Sequence, residues 1–275
     1  MSGARANRFA WVLPAWSSEV RKLLSYRVDF WLEFAGSLVV QIALAWFLWN
    51  AVLEARGTDT VGGLGLQALV LYYLLVPLVE KITRGHEMGF LSAEIYDGTL
   101  TRYLVYPVPL FGYKYVLHLA VSSIAFVQML IALGIFVVGV GVPEPFTITW
   151  TSFVFGMLAA LVASALYFHM AACLEMVAYW ADNVWSLLVM LRFGIRLLGG
   201  GMIPLTLFPD AAQGVLEFLP FAALLSFPIR TILGELGPVE YARAMLLLIA
   251  WTVFFAWLAR RIHARGALRY TGVGI

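Results

Sequence analysis

The chain has 275 residues, of which 62% are hydrophobic and only 12% charged, with a formal net charge of +2 at pH 7. So few polar side chains cannot cover a water-soluble globule, and several apolar runs approach the roughly 20 residues that cross a bilayer as a helix. These features imply a polytopic membrane protein; the small, scattered charge gives no basic stripe for nucleic acid, and the single cysteine, Cys173, has neither a disulfide partner nor a metal-ligand pattern around it.

At the N-terminal end the apolar piece 9–16 is short and interrupted by Pro14, so it does not read as a cleavable signal peptide. In "WSSEVRKLLSYRVDF", Trp16, Val20, Leu23, Leu24 and Val28 recur at helical spacing, while Glu19, Arg21, Lys22 and Arg27 occupy other faces. The pattern predicts an interfacial amphipathic helix over 16–29 within a cytoplasmic leader, 1–29, its basic face toward anionic headgroups. An ordinary cytosolic leader helix is the alternative.

Six segments then meet or nearly meet the length of a span: 30–53, 65–79, 113–140, 150–173, 183–203 and 239–262. They define a transmembrane domain, 30–262, with a cytoplasmic tail, 263–275, after it. Basic residues resist translocation and accumulate on the cytoplasmic side. The leader holds Arg5, Arg8, Arg21, Lys22 and Arg27; the connection after the second segment holds Lys81, Arg84, Arg102 and Lys114; the tail holds Arg260, Arg261, Arg265 and Arg269. The loop after the first segment offers only Arg56, and "VPEPFTIT" offers none. Both termini are expected in the cytoplasm, with the chain multi-pass in a bacterial-type inner membrane. "LEMVAYWADN", which belongs on the same side, has no lysine or arginine and is the weakest joint of this topology.

Within the connection 81–112 lies "EIYDGTLTRYLVYPVPL". Ser92 can cap a short helix with Glu94 and Ile95 just inside it, Gly98 permits a break, and Thr99 can cap a second piece before Pro107 and Pro109 stop it. A compact helical knob is expected. It is either a surface amphipathic helix or a docking element, with Asp97 and Arg102 giving polar specificity and Leu100, Tyr103 and Leu104 filling a partner's groove.

In the fifth segment, Arg192 and Arg196 lie four apart on one face. They can bind an anionic headgroup or acidic substrate, or pair with acids such as Glu217 or Glu235, and pairing is the preferred reading. Glu33, Glu175 and Asp182 read as interfacial. Gly199, Gly200 and Gly201 break the fifth helix near its outer end; we read them as the turn into the proline-rich stretch, with a gate hinge as the other possibility. That stretch, 204–237, is apolar enough to enter the bilayer, yet Pro204, Pro209, Pro220 and Pro228 prevent a continuous span. It predicts an extracellular re-entrant hairpin enclosed by protein, because unpaired amides cannot face lipid.

Motifs for chemistry are lacking. "HEMGF" has no second histidine four residues on, no G-x-S-x-G elbow occurs, and no glycine cluster carries the lysine of a phosphate-binding loop. We expect no catalytic residue, no metal and no cofactor in this chain.

"EIYDGTLTRYLVYPVPL" resembles the motif of permease subunits of the ABC-2 family of ABC transporters, and "GGGMIPLTLFPDAAQGVLEFLPFAALLSFPIRTILG" is similar to the same group's glycine, Ile-Pro-Leu, Phe-Pro and Leu-Pro-Phe pattern. "ARGALRYTGVG" is similar to its tail. The resemblance implies an all-α, six-span permease of an ATP-driven exporter, pairing with a second permease copy as a homodimer or heterodimer. A separate ABC ATPase subunit would bind ATP and Mg. The coupling helix would be 94–107, carrying Glu94, Asp97, Gly98, Thr99, Leu100, Arg102, Tyr103, Leu104 and Pro107. The hairpin and its approach, with Gly199, Gly200, Gly201, Pro204, Phe208, Pro209, Pro220 and Phe221, would shape the exit. Wide apolar surfaces with membrane lipid around them suit an amphiphilic or lipid-like cargo. The competing readings are a membrane-embedded enzyme and an ATP-independent carrier for a lipid-linked substrate.

Overall fold

The computed structural model describes residues 9–25, 27–86, 89–106 and 108–270, and of residues 27–30 and Leu104 the backbone alone. Pro107, the first basic residues Arg5 and Arg8, and the end of the tail lie outside the described residues.

Helix α1 (Val12–Ser25) begins four residues earlier than its amphipathic pattern suggests, because Pro14 falls in the first turn, where no backbone N–H is needed. It ends at Ser25, whose hydroxyl donates to the Arg21 carbonyl at 2.8 Å, so it stops short of the expected 29. It packs on α6, with Trp11 and Tyr113 rings 6.2 Å apart. Helix α2 (Arg27–Arg56) buries Phe34, Ala45, Trp49 and Leu53 as a stripe against α3 and leaves Leu32, Val39, Leu44 and Phe47 exposed.

A two-residue hairpin of β1 (Thr60–Val61) and β2 (Leu64–Gly65) turns through Gly62 and Gly63 and feeds α3 (Leu66–Arg84). α3 is the inner post of the bundle, buried almost continuously from Ala68 to Thr83. It runs to Arg84, beyond the expected 79, and carries Pro77 inside the helix.

The knob comes next, as α4 (Ser92–Tyr96), a 3-10 turn (Thr99–Thr101) and α5 (Arg102–Val105). The chain then spans α6 (Leu110–Val140) and α7 (Trp150–Glu175). α7 starts in a capping box of Thr149 and Ser152 and presents Gly156, Ala159, Ala160, Ala163 and Ser164 to its neighbours, small residues that let α3, α11 and α12 approach closely.

The remaining helices are α8 (Trp185–Leu198), α9 (Asp210–Phe218), α10 (Pro220–Leu224), α11 (Ser226–Ile232) and α12 (Pro238–Gly266). Among the described residues, five helices are long and apolar enough to cross a membrane: α2, α3, α6, α7 together with its 3-10 extension, and α12. The fifth expected segment, 183–203, differs: α8 has 14 residues, roughly 21 Å of helix against the ~30 Å of a hydrocarbon core. It stops at Gly199, and the chain continues as irregular backbone. Tyr96 of the knob donates to Ala181 just before α8 at 3.1 Å, while Leu207 beyond it lies against Gly62 at the other end of α3. Two ends of the bundle are thereby defined: a knob end, and a hairpin end bearing β1, β2 and the start of α9.

Candidate functional site

The knob is built around Glu175, the last residue of α7. Its carboxylate, 5% exposed, accepts backbone N–H groups of Gly89 at 3.2 Å, Leu91 at 2.5 Å and Ser92 at 3.2 Å. These are the donors that the start of a helix leaves without intrahelical partners. The expected Ser92 cap is therefore replaced: Leu91 occupies the capping position, and Ser92 Oγ donates back to Gly89 O. An acid from another helix does the capping and fixes the knob to α7.

Gly98 adopts φ 71°, the left-handed region open to glycine, and its turn separates α4 from the 3-10 turn. Thr99 does not cap the second piece; the hydroxyl in use is that of Thr101, which donates to Gly98 O at 3.1 Å. Glu94 is turned inward, 8% exposed, where Lys114 Nζ of α6 lies 2.7 Å away, Arg102 pairs with it, and Tyr103 donates at 3.3 Å. Lys114 also donates to Phe90 O at 3.2 Å and sits 3.5 Å above the Phe90 ring. His86 stacks on the same ring, centroids 3.9 Å apart, and its Nε2 is 3.5 Å from Glu19 of α1. Burial pushes the His86 imidazole below its ordinary range, with Glu19 pulling the opposite way. The Tyr103 phenol is raised, again chiefly by burial.

Leu100 corrects the docking assignment. It is 7% exposed and packs with Leu91, Ile95, Met176 and Ala259 inside this chain, so it cannot fill a partner's groove. Arg102 is exposed but already paired with Glu94. The exposed residues of the knob include Asp97, Thr99, Arg102, Val105 and Tyr106, the last two 83% and 50% exposed. Val105 and Tyr106 escape sequence reasoning because an apolar residue beside a proline reads as helix packing.

At the other end, the glycine trio is buried rather than superficial. Tyr72 donates to Gly200 O at 2.8 Å and Tyr73 to Met202 O at 2.5 Å, so the broken backbone meets α3 six or seven residues below its first residue, about 9 Å down. These hydroxyls satisfy carbonyls that a stopped helix would otherwise leave bare among apolar side chains. Gly200 has φ 88°, and an added Cβ would stand 2.9 Å from Tyr72 Oη; one on Gly199 would stand 2.6 Å from Phe221 O. Gly201 faces Leu225 in the same way. Pro204 is buried beside Leu205, Phe208 packs on the Leu205–Leu216–Ala222 cluster, Pro209 precedes α9, and Pro220 opens α10. The trio, Pro220 and Phe221 come together; Phe208 lies on a neighbouring cluster, and Pro209 is exposed.

The pairing expected of Arg196 of α8 is found, but with a different acid. Glu217 and Glu235 are taken by Arg230, at 2.7 and 3.0 Å. Arg196 instead pairs with Glu80 of α3, Nε at 3.0 Å and Nη2 at 2.9 Å. Glu80 carries no signal of its own in the sequence, since a single acid near the end of an apolar run looks interfacial.

A family model described as "ABC-2 family transporter protein" matches residues 39–274. No curated protein and no solved structure matched.

Proposed function

The chain belongs to the ABC-2 family of transporter proteins, and from that premise we propose that it is the permease subunit of an ATP-driven exporter, powered by a separate ABC ATPase that binds ATP and Mg. The observation that carries this reading is the clamp on the knob. Glu175 holds its first turn to α7, Lys114 ties Glu94 to α6, and Glu19 reaches it from α1 through His86, leaving an outward face of Asp97, Thr99, Arg102, Val105 and Tyr106. A small rigid body fixed to two long helices and open on its far side passes on a push; a surface helix lying in lipid would need no such wiring.

On this reading the knob end is cytoplasmic, as are both termini, in an inner membrane. The piece from α8 to Leu207 makes the sixth crossing, and α9 to α11 form the extracellular re-entrant hairpin beside the exit. Lipid and a second permease copy, identical or related, cover α2 and α12, whose apolar windows are each only 11% buried within the chain. The cargo is amphiphilic and leaves from the cytoplasmic side.

The test is purification of the full chain with its ATPase, then transport in proteoliposomes. Asp97→Lys and Val105→Asp, both on the open face, should weaken ATPase association about tenfold, the effect of losing one well-placed contact. Glu175→Gln should leave association intact and abolish transport coupled to hydrolysis. Undiminished association in both face variants would remove the knob from the interface.

A further inference from the structure

Helix α12 carries an exposed stripe of two characters. Leu246, Ile249, Val253 and Trp257 succeed one another at steps of three or four residues and are all exposed, and the same spacing continues to Arg261 and Arg265. The apolar part, Leu246 to Trp257, rises about 16 Å, close to half of the roughly 30 Å hydrocarbon core. The arginines begin one turn after the apolar part ends. The stripe therefore has the dimensions of one leaflet, with the length of acyl chains first and headgroups after it.

Beside the arginines the stripe opens into a groove of about 520 Å³, lined by Val177 and Trp180 at the end of the 3-10 turn after α7 (Met176–Tyr179) and by Trp257, Leu258, Arg261 and Arg265. Pockets of roughly 300–1,000 Å³ hold small organic groups. Trp180 and Trp257 are both exposed, and tryptophan favours the headgroup level of a bilayer. The Arg261 guanidinium lies 5.5 Å from the centre of the Trp257 ring, a cation–π contact that limits its freedom. Among the described residues, no carboxylate lies within ion-pair distance of Arg261 or Arg265, whereas Arg102, Lys114, Arg196 and Arg230 each have one. Two guanidinium groups one turn apart match phosphate oxygens well. Behind the groove, Val177, Leu258 and Ile262 pack on the apolar cluster that also holds Leu91, Ile95 and Leu100 of the knob segment.

We propose that this groove binds a phospholipid of net negative charge from the leaflet at the knob end, and that the bound lipid braces the helix ends on which the knob is seated. Arg261 and Arg265 engage the phosphate, the glycerol lies between Trp180 and Trp257, and an acyl chain follows Val253, Ile249 and Leu246. A water-borne acidic peptide would leave the 16 Å apolar part of the stripe uncovered. A second copy related by a two-fold axis along the bilayer normal would set Arg261 and Arg265 against their own equivalents at the same depth, and like charges repel. The site goes beyond the permease reading and takes from it only the name of the leaflet, the cytoplasmic one.

The experiment is native mass spectrometry of the full chain released from nanodiscs of phosphatidylcholine doped with phosphatidylglycerol. Phosphatidylglycerol should be retained in preference to phosphatidylcholine. Each arginine near a lipid surface contributes about fivefold, so Arg261→Gln/Arg265→Gln should lower that preference at least about tenfold. Arg260→Gln/Arg269→Gln removes the same charge from exposed positions outside the groove and should leave the preference nearly unchanged. Glycerol phosphate, having no chain, should fail to displace the lipid. In the unaltered chain, added phosphatidylglycerol should slow amide exchange between Leu91 and Leu100, and in Arg261→Gln/Arg265→Gln it should not. Equal retention of the two lipids, equal losses in the two double variants, displacement by glycerol phosphate, or amide exchange indifferent to the lipid would each overturn the proposal. None of these readouts involves the ATPase, so a chain that binds phosphatidylglycerol as expected but recruits no ATPase loses the exporter reading and keeps the lipid site.

Discussion

Glu175 illustrates how one side chain sets a local structure that its own neighbours in sequence do not. Three backbone donors converge on its carboxylate, and none of the serines and threonines in the knob takes that role. Neutralising it in Glu175→Gln removes a charged acceptor worth about 1.5–3 kcal/mol per bond in favourable cases. Amide exchange of Gly89, Leu91 and Ser92 should accelerate accordingly while that of α7 stays slow. His86 gives the knob a pH dependence. Its imidazole faces Glu19 and Lys22 from α1 and Lys114 from α6, and burial lowers its affinity for protons in the fold. A depressed histidine binds fewer protons folded than unfolded, so its contribution is complete above the ordinary value near 6.5 and is lost as pH falls below it. Docking of α1 should therefore loosen as pH falls below about 6.5, read as faster amide exchange in α1, and His86→Gln should flatten that dependence. Gly200 is the third residue whose chemistry is local: in the left-handed region, with Tyr72 Oη 2.9 Å from a built Cβ, Gly200→Ala should cost about 1–2 kcal/mol or more, read as a lowered Tm in detergent.

Among the elements, those with a strong single signal are legible in the sequence and those completed by a distant partner are not. The long helices arise from apolar length, and the proline spacing after Pro204 correctly rules out one continuous helix, since α9, α10 and α11 take its place. The start of α1 escapes the pattern because Pro14 reads as a breaker unless it falls in the first turn. α8 is shorter than its apolar run because Met202 and Ile203, as apolar as any spanning residue, belong to irregular backbone held by Tyr72 and Tyr73. Hydropathy counts side chains and cannot see that two hydroxyls from α3 let the helix stop early. In the knob the break at Gly98 is legible, but which residues face in or out depends on α6 and α7. Leu100 turns inward because the ends of α7 and α12 supply the apolar surface for it.

The whole molecule has a sidedness that the ends of its helices record. The knob, the 3-10 turn after α7 and the last turns of α12 share one apolar cluster, and Phe111 stands 5.3 Å from His263. The turn at Gly62, Leu207 and the contact of Gly234 with Thr147 belong to the opposite end. The basic residues of the first end, Arg84, Arg102, Lys114, Arg260, Arg261 and Arg265, lie on the side that the proposed topology puts in the cytoplasm. Cysteine labelling checks this directly, because the native Cys173 is buried and can be replaced by alanine to give a silent background. Asp97→Cys and Leu268→Cys, both exposed at the knob end, should react with a membrane-impermeant maleimide only after the cells are opened. Ala211→Cys, exposed on α9, should react in intact cells. An odd number of crossings would separate Leu268 from Arg21 of the leader, so a fourth position, Arg21→Cys on the exposed face of α1, must label together with Leu268→Cys. If Asp97→Cys labels from outside, the knob faces away from ATP and no cytosolic ATPase can drive the bundle through it.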